Sequence, residues 1–398
     1  MDASTNALSP HDSERLNAFM REFLDEVFPA AQLAIFHQGD CILNASWDAS
    51  DKTLFDLASV SKLFTVTAFL TQVSESKIAL DDPLVKVIPE FAGPRSISET
   101  QNPHTEAMFP LAEDVLGEVI DSEQVTFRHL LTHTSGLAPW RNIFRVAGPV
   151  PPPPDEADIV IRQERWQNAL KAICEYPFVD RIGRQVHYSD LGLMLLGESV
   201  ARLDGDSLEN VIRDRVTAPL NLTSIQYNPL QNGISREKVA PTEDDTRWRK
   251  RRCWGEVHDE NACSVGGVAG HAGLFGTAFD VARFGQAWLK ESQTLSIAPQ
   301  WMRESKREQV YSNEMRRGLG WMLRTRQKAP CGDIFGEASY GHNGYTGTSL
   351  WIDPDSSLIV ACLTNRVYFG REETGILNFR PRLHNLLYEM VHQHDPQK

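Results

Sequence analysis

Apolar residues in "DSERLNAFMREFLDEVF" recur three and four apart at Leu16, Phe19, Met20, Phe23 and Leu24, which predicts an amphipathic helix over residues 12–28. Two strand-like runs follow, "AQLAIFH" and "CILNASW", separated by "QGD", the pattern of a hairpin closed by a short polar turn. The next segment, "LFTVTAFLTQV", is apolar on nearly all sides, as expected of a helix buried on every face. From about Asp81 the pattern changes to helical segments joined by long loops. One of these, "VAGPVPPPPDEAD", is stiff and extended, and reads as a surface lid or connector. Helix returns in "TAFDVARFGQAWLKES", after which "YTGTSLWID" and "SLIVACLTN" read as strands joined at "PDS", and "RPRLHNLLYEMVHQ" as a closing amphipathic helix. Helix and strands at both ends around a helical middle predict an α/β (α+β) domain assembled from residues 1–80 and 266–398. A mostly helical insertion with lid-like loops occupies residues 81–265. No internal repeat is visible.

With 398 residues, 41% hydrophobic and 9% aromatic, the chain is long enough for a large core. Forty Lys plus Arg against fifty-three Asp plus Glu leave a formal charge of −13, which argues against general affinity for nucleic acid or anionic membranes. "MDASTNALSPHDSERLNAF" has no basic region followed by an apolar one, and no apolar run reaches the ~18 residues that span a bilayer. The expectation is a cytoplasmic protein without membrane contact. Six scattered cysteines fit free thiols rather than a disulfide framework.

Candidate chemistry lies in "FDLASVSKLF", where Lys62 follows Ser59 by three residues. On a helix that spacing puts hydroxyl and ammonium side by side, while Ser61 points elsewhere. At a helix N-terminus the free backbone N–H groups and the dipole suit an oxyanion, and a lysine can activate a weak serine nucleophile. The spacing alone is weak. It recurs at Ser74/Lys77 and Ser235/Lys238, and locally Ser59 reads equally well as an N-cap with Lys62 a surface charge.

Five blocks in order change this balance: "FDLASVSKLFT", "VTFRHLLTHTSGL", "HYSDLGLMLLGE", "GEVHDENACSVGGVAGHAGLFGTA" and "YGHNGYTGTSLWIDP". Together they resemble the serine β-lactamase and penicillin-binding-protein-like superfamily, nearest the class C-like branch with its DD-peptidases and family VIII carboxylesterases. The resemblance runs from about residue 30 to 385. It implies a β-lactamase/transpeptidase-like fold, an antiparallel sheet flanked by helices plus a mostly helical subdomain. It further implies Ser59 as the acylated nucleophile, Lys62 as its partner in proton transfer and Tyr188 as general base, a role that needs a phenolate beside cations. His342-Asn343-Gly344 matches the third motif, and the N–H groups of Ser59 and Tyr345 would form the oxyanion hole.

Two positions depart from the family pattern. Asp190 stands where β-lactamases usually have asparagine, and would either hold Lys62 protonated or weaken contact with a substrate amide. His342 replaces a permanent cation with a group largely neutral at pH 7. Both changes favour esters over penicillins or D-Ala-D-Ala peptides. A rival tyrosine occurs in "YSN" at Tyr311, but no apolar helix follows it as one follows Tyr188.

Other constellations carry less. His129 and His133 have the spacing of two metal ligands, but "HLLTH" lacks the glutamate of a zinc peptidase. Cys253, His258, Cys263 and His271 match no zinc spacing. The basic run "RWRKRRCW" follows "EDD" and reads as a solvated or lid loop near the site entrance. No G-x-S-x-G and no phosphate-binding glycine pattern occurs, so no cofactor and no metal are inferred. The expected function is a serine hydrolase, first a carboxylesterase on small esters. The alternatives are a DD-carboxypeptidase or β-lactamase-type amide hydrolase and, in another class, a non-catalytic member binding acyl compounds or peptides. The expected partner is a small ester, lactam or short peptide. The sequence does not indicate an oligomeric state.

Overall fold

The computed structural model describes residues 7–101, 107–108, 111–312 and 314–392. Its centre is an eight-stranded sheet built from β1 (Ala31–His37), β2 (Asp40–Trp47), β3 (Val310–Ser312), β4 (Met315–Arg317), β5 (Met322–Leu323), β6 (Tyr340–Asn343), β7 (Ser349–Asp353) and β8 (Leu358–Thr364). The spatial order is β3-β4-β5-β6-β7-β8-β1-β2, and every neighbouring pair is antiparallel. The β1–β2 hairpin closes on Gln38 and Gly39, both with positive φ (51° and 100°), the two-residue turn whose twist matches the strands.

Six helices frame the sheet and the site: α1 (Pro10–Phe23), α2 (Ser61–Ser74), α3 (Arg162–Glu175), α4 (Asp190–Asp204), α5 (Ala278–Leu289) and α6 (Ile376–His392). Strand alternation decides which face each packs on. Leu33 and Ile35 of β1, with Val360 and Cys362 of β8, join α1 and α6 in one buried layer. Ala34 and Phe36, with Ile359, Ala361 and Leu363, join α2, α4 and α5 in the other. A sheet covered on both faces needs apolar residues at both parities, which is why "AQLAIFH" and "SLIVACLTN" carry runs rather than strict alternation. In the first layer Phe19, Phe23 and Phe28 all pack on the ring of Phe379, at centroid distances of 4.9–5.7 Å.

Helix α1 begins at Pro10, capped by Ser9 Oγ, and ends at Phe23, five residues before the end of the sequence periodicity. Helix α6 starts at Ile376, four residues before the expected segment, and carries Pro381 within it. All residues from Ser61 to Val73 of α2 are buried. Its partner α4 is capped by Ser189 Oγ, which accepts from Gly192 N–H, and ends on Gly205 in the left-handed region (φ 68°). Residues 269–272 can approach α4 because both contact positions are glycine. A Cβ on Gly270 would lie 2.2 Å from Leu193 O, and one on Gly197 would lie 2.8 Å from Gly270 Cα. That approach brings the His271 carbonyl to the side chain of Lys62.

Two loop expectations need revision. The basic run is folded inward in part: Arg247 and Lys250 are exposed, while its other three arginines are held by the protein. Arg249 is 5% exposed and donates to His258 O and Cys253 Sγ, Arg251 pairs with Glu256, and Arg252 donates to Thr242 O and Tyr368 O. Trp248 meets Phe144 edge-on. Arginine-rich loops read as solvated because their charge is visible in the sequence, whereas the carboxylates and carbonyls that receive it are not. Residues 151–154 take two bonds from Arg251 and do not line the cleft described below. All six cysteines are free, five of them buried. Among the described residues no helix is long and apolar enough to cross a membrane, and residues 1–6 of the N-terminal segment lie outside them.

Candidate active site

Ser59 is delivered by a strained turn. The short strand Phe55–Asp56 pairs with Leu274–Gly276, then the chain reverses at Ala58, a non-glycine residue with φ 46°, into a 3₁₀ turn over Ala58–Val60 that runs into α2. The buried carboxylate of Asp56 holds the turn by accepting from Ala58 N–H (2.8 Å) and His258 N–H (2.7 Å). Ser61 Oγ accepts from Leu274 N–H, so its side chain is structural. From the sheet side, the β6–β7 turn presses on the same place. A Cβ on Gly344 would lie 2.7 Å from Leu57 O and 2.0 Å from Thr348 Oγ1, so a side chain there would push the two turns apart.

These elements enclose a cleft of about 640 Å3 lined by Ser59, Tyr188, Asp190, His342, Gly344 and Tyr345. Lys62 lies beneath it, 1% exposed. Its ammonium donates to Ser59 Oγ (2.7 Å) and His271 O (3.0 Å), and pairs with Asp190 Oδ1 (2.7 Å). Two hydrogen bonds and one ion pair thus surround the ammonium. Burial works against the charge, but Asp190 and Tyr188 outweigh it and the lysine pKa is raised. Tyr188 packs its ring 5.0 Å from Lys62 Nζ. His342 is buried with Nδ1 2.9 Å from Asn343 O. Burial first, then the charges of Arg317 and Lys62, push its pKa well below the usual histidine value, so this position is neutral.

The remaining sequence candidates fall elsewhere. Tyr311 sits on the outermost strand, 58% exposed and outside the cleft lining, and Asn313 of the same "YSN" lies outside the described residues. Ser74 bonds back to Leu70 O, and Ser235 precedes a 3₁₀ turn. His129 closes a capping box with Thr126. His133 is buried and accepts from Ser189 N–H at Nδ1, supporting the turn that presents Tyr188. Cys253, His258, Cys263 and His271 bond separately to Arg249, Glu243, Glu256 and Asp259. Asp190, Asp259 and His271 bring ligand-type atoms within 4.8 Å of one another, but Asp190 is engaged by Lys62 and Asp259 by His271.

The sequence reading missed the arginines around this cleft. Arg380 of α6, buried, donates to Gly344 O (2.8 Å) and Thr348 O (3.0 Å), and Arg366 donates to Tyr345 O (2.8 Å). Together they fix the carbonyls on either side of the Tyr345 N–H. Arg371 is held by Glu243 and Glu260. Arg317 of β4 packs 5.1 Å from the Tyr188 ring centre. An arginine on the apolar stripe of a helix, as Arg380 is beside Phe379 and Leu383, is a readable signal of an internal role. Arg317 carries no such signal.

A serine hydroxyl bonded to a buried ammonium that also faces a tyrosine ring, at the entry to a helix flanking an antiparallel sheet, defines a β-lactamase/transpeptidase-like serine hydrolase. Comparison with known proteins agrees with that class. The chain belongs to the Beta-lactamase family, whose model matches residues 16–378. It is 28% identical over 396 residues to the protein named "Putative D-alanyl-D-alanine carboxypeptidase" of Escherichia coli (strain K12), covering 89% of this chain and 82% of that protein. Two solved structures share the fold. The simvastatin synthase LovD of Aspergillus terreus has a TM-score of 0.73 at 16% identity, covering 97% of this chain and 100% of the other. EstCE1, described as a hydrolase with promiscuous acyltransferase activity, has a TM-score of 0.66 at 18% identity, covering 93% and 99%.

Proposed function

We propose that the protein is a carboxylesterase that acts on small esters through an acyl-enzyme on Ser59. The observation that carries this reading is the bonding of Lys62. An ammonium hydrogen-bonded to Ser59 Oγ and His271 O, ion-paired with Asp190 and with its pKa raised, is a donor and not a base. The proton of Ser59 then passes to Tyr188 as Oγ attacks the carbonyl carbon, and from Tyr188 to the leaving oxygen as the ester C–O bond breaks. Water repeats the sequence in deacylation, returning the proton to Ser59. The N–H groups of Ser59 and Tyr345 receive the oxyanion, and Gly344 lets the turn that carries the Tyr345 N–H pack against Leu57. Esters are favoured over amides because Asp190 presents a carboxylate where an amide donor would bind a substrate carbonyl.

A second reading, hydrolysis of D-alanyl peptides, is supported by the name of the Escherichia coli relative and by the arginines along the cleft wall. Rates on a short-chain aryl ester, a chromogenic cephalosporin and a D-Ala-D-Ala peptide separate the two, and faster turnover of either amide would overturn the esterase reading. Intact mass after a serine-directed fluorophosphonate tests the nucleophile. One adduct on wild type and none on Ser59→Ala is expected. Labelling of both would mean another serine, and no adduct on folded wild type would favour a binding protein.

A further inference from the structure

Four side chains from separate parts of the chain face the ring of Tyr188, and one more ionisable group lies two residues along its own segment. Lys62 Nζ comes from α2 at 5.0 Å, Arg317 from β4 at 5.1 Å, the His133 ring at 4.6 Å and the His342 ring from β6 at 5.9 Å. Asp190, at the start of α4, is engaged by Lys62. Both imidazoles are buried and neutral, His133 because burial first and Arg317 next hold it uncharged. The ring therefore meets two cations.

Arg317 is 5% exposed and, among the described residues, has no ion-pair partner. Arg366 and Arg380 of the same cleft also lack a carboxylate, but both donate to backbone carbonyls. Arg317 instead donates from Nη2 to Met315 Sδ at 3.9 Å, and its Nη1 has no hydrogen-bond partner. An unpaired guanidinium is costly to bury. Folding alone would favour an apolar residue at this position, so the cation points to an anion carried beside it in the working enzyme.

We propose that Arg317 is the second cation of the Tyr188 centre, holding the phenolate ready to take the Ser59 proton. It supplies the positive charge that a lysine supplies at the third motif and that neutral His342 does not. The proposal rests on the reading of Tyr188 as base. Arg317 neither gains nor loses a proton: the Ser59 proton goes to the phenolate oxygen as the Oγ–carbonyl bond forms, and leaves with the alcohol. It touches Tyr188 rather than the reacting atoms, so it is a positioning residue.

The test is the pH profile of kcat/KM, from pH 6 to 9.5, on an uncharged aryl ester for wild type, Arg317→Lys, Arg317→Met and Tyr188→Phe, with urea midpoints confirming folding. Removing a cation 5.1 Å from the ring that carries the anionic oxygen moves the acid limb to higher pH by about one to two units. Arg317→Met is therefore expected to lose roughly 10- to 100-fold at pH 7 and to recover at high pH, while Arg317→Lys keeps the wild-type limb within about half a unit. A loss that is the same at every pH would mean a structural role and overturn the proposal. So would an unchanged profile on the neutral ester with a raised KM for a carboxylate-bearing ester, which would make Arg317 a substrate-anion contact. Retained activity in Tyr188→Phe would remove the base reading and the proposal with it. An inactive Tyr188→Phe with an unmoved Arg317→Met limb would overturn the proposal alone.

Discussion

Acid should unfold this protein at a pH where few carboxylates have begun to titrate, and the reason lies in three buried histidines. His384 of α6 is fully buried, with Nδ1 2.7 Å from Arg380 O and the ring of Phe335 edge-on at 5.3 Å. Burial pushes its pKa down to about 4. His133 and His342 are pushed well below the usual value by burial and by Arg317 and Lys62. An unfolded histidine titrates near pH ~6.5. Below that pH the unfolded state binds protons that the folded state refuses, so the stability these groups contribute, present in full above about pH 6.5, is lost as pH falls towards the folded pKa values. Between pH 7.0 and 5.5 each histidine costs about 1.2 kcal/mol, about 4 kcal/mol for the three, a large fraction of ordinary folding stability. Groups such as Glu243, with its pKa lowered to about 2 by His258 and Arg371 against its burial, stop stabilising only below about pH 5 and so do not contribute to this window, while Asp56, its pKa raised by burial, acts in the opposite direction. Urea unfolding at the two pH values measures the difference. In His384→Leu the difference between pH values should shrink by about a third, whatever the absolute stability. Unfolding free energies equal within about 1 kcal/mol at pH 7.0 and 5.5 would refute the argument.

Two further substitutions probe the clamp around Ser59. Asp190→Asn removes the charge 2.7 Å from Lys62 and should cost about 2–4 kcal/mol at pH 7. Because the lysine pKa is raised, that contribution is present below about pH 10 and fades above it, so melting curves of variant and wild type should converge in strong alkali; equal stability at pH 7 would contradict it. Arg380→Met releases Gly344 O and Thr348 O, and should lower kcat on an aryl ester about 10- to 100-fold with little change in KM, since the peptide it holds carries the Tyr345 N–H; a rise in KM alone would count against that placement.

How much of this could be read from the chain follows from how local each signal is. The strands of both termini and the α2 helix buried on every face were legible because sheet and buried-helix patterns repeat over two to four residues. The ordered blocks around Ser59, Tyr188 and His342 were legible because backbone geometry demands particular residues within each block: the glycines of "GHAGLF" and "HNG" stand where a Cβ would strike a neighbouring chain. Helix ends were less so. Phe23 closes α1 where the chain must turn into β1, and neither Pro381 nor the periodicity of α6 marks its start at Ile376.

What escaped the sequence is the balance of charge, because each partner comes from a distant segment. Lys62 meets Asp190 and a carbonyl at residue 271, and Arg380 holds a turn thirty-odd residues before it. Arg317 lies on a three-residue strand between no recognisable landmarks. Substituting histidine for a cation at position 342 looks, in one dimension, like a loss of positive charge from the site. In three dimensions the charge sits on the next strands of the same sheet: β4 carries Arg317 to the Tyr188 ring, two strands from His342 on β6. A local motif can therefore be relaxed without relaxing the electrostatics it serves, provided a neighbouring strand restores the charge at about 5 Å from the same ring. Specificity inferred from a motif's missing cation alone is then unsafe, and the charges facing the reacting group from every packed element are the proper quantity to count.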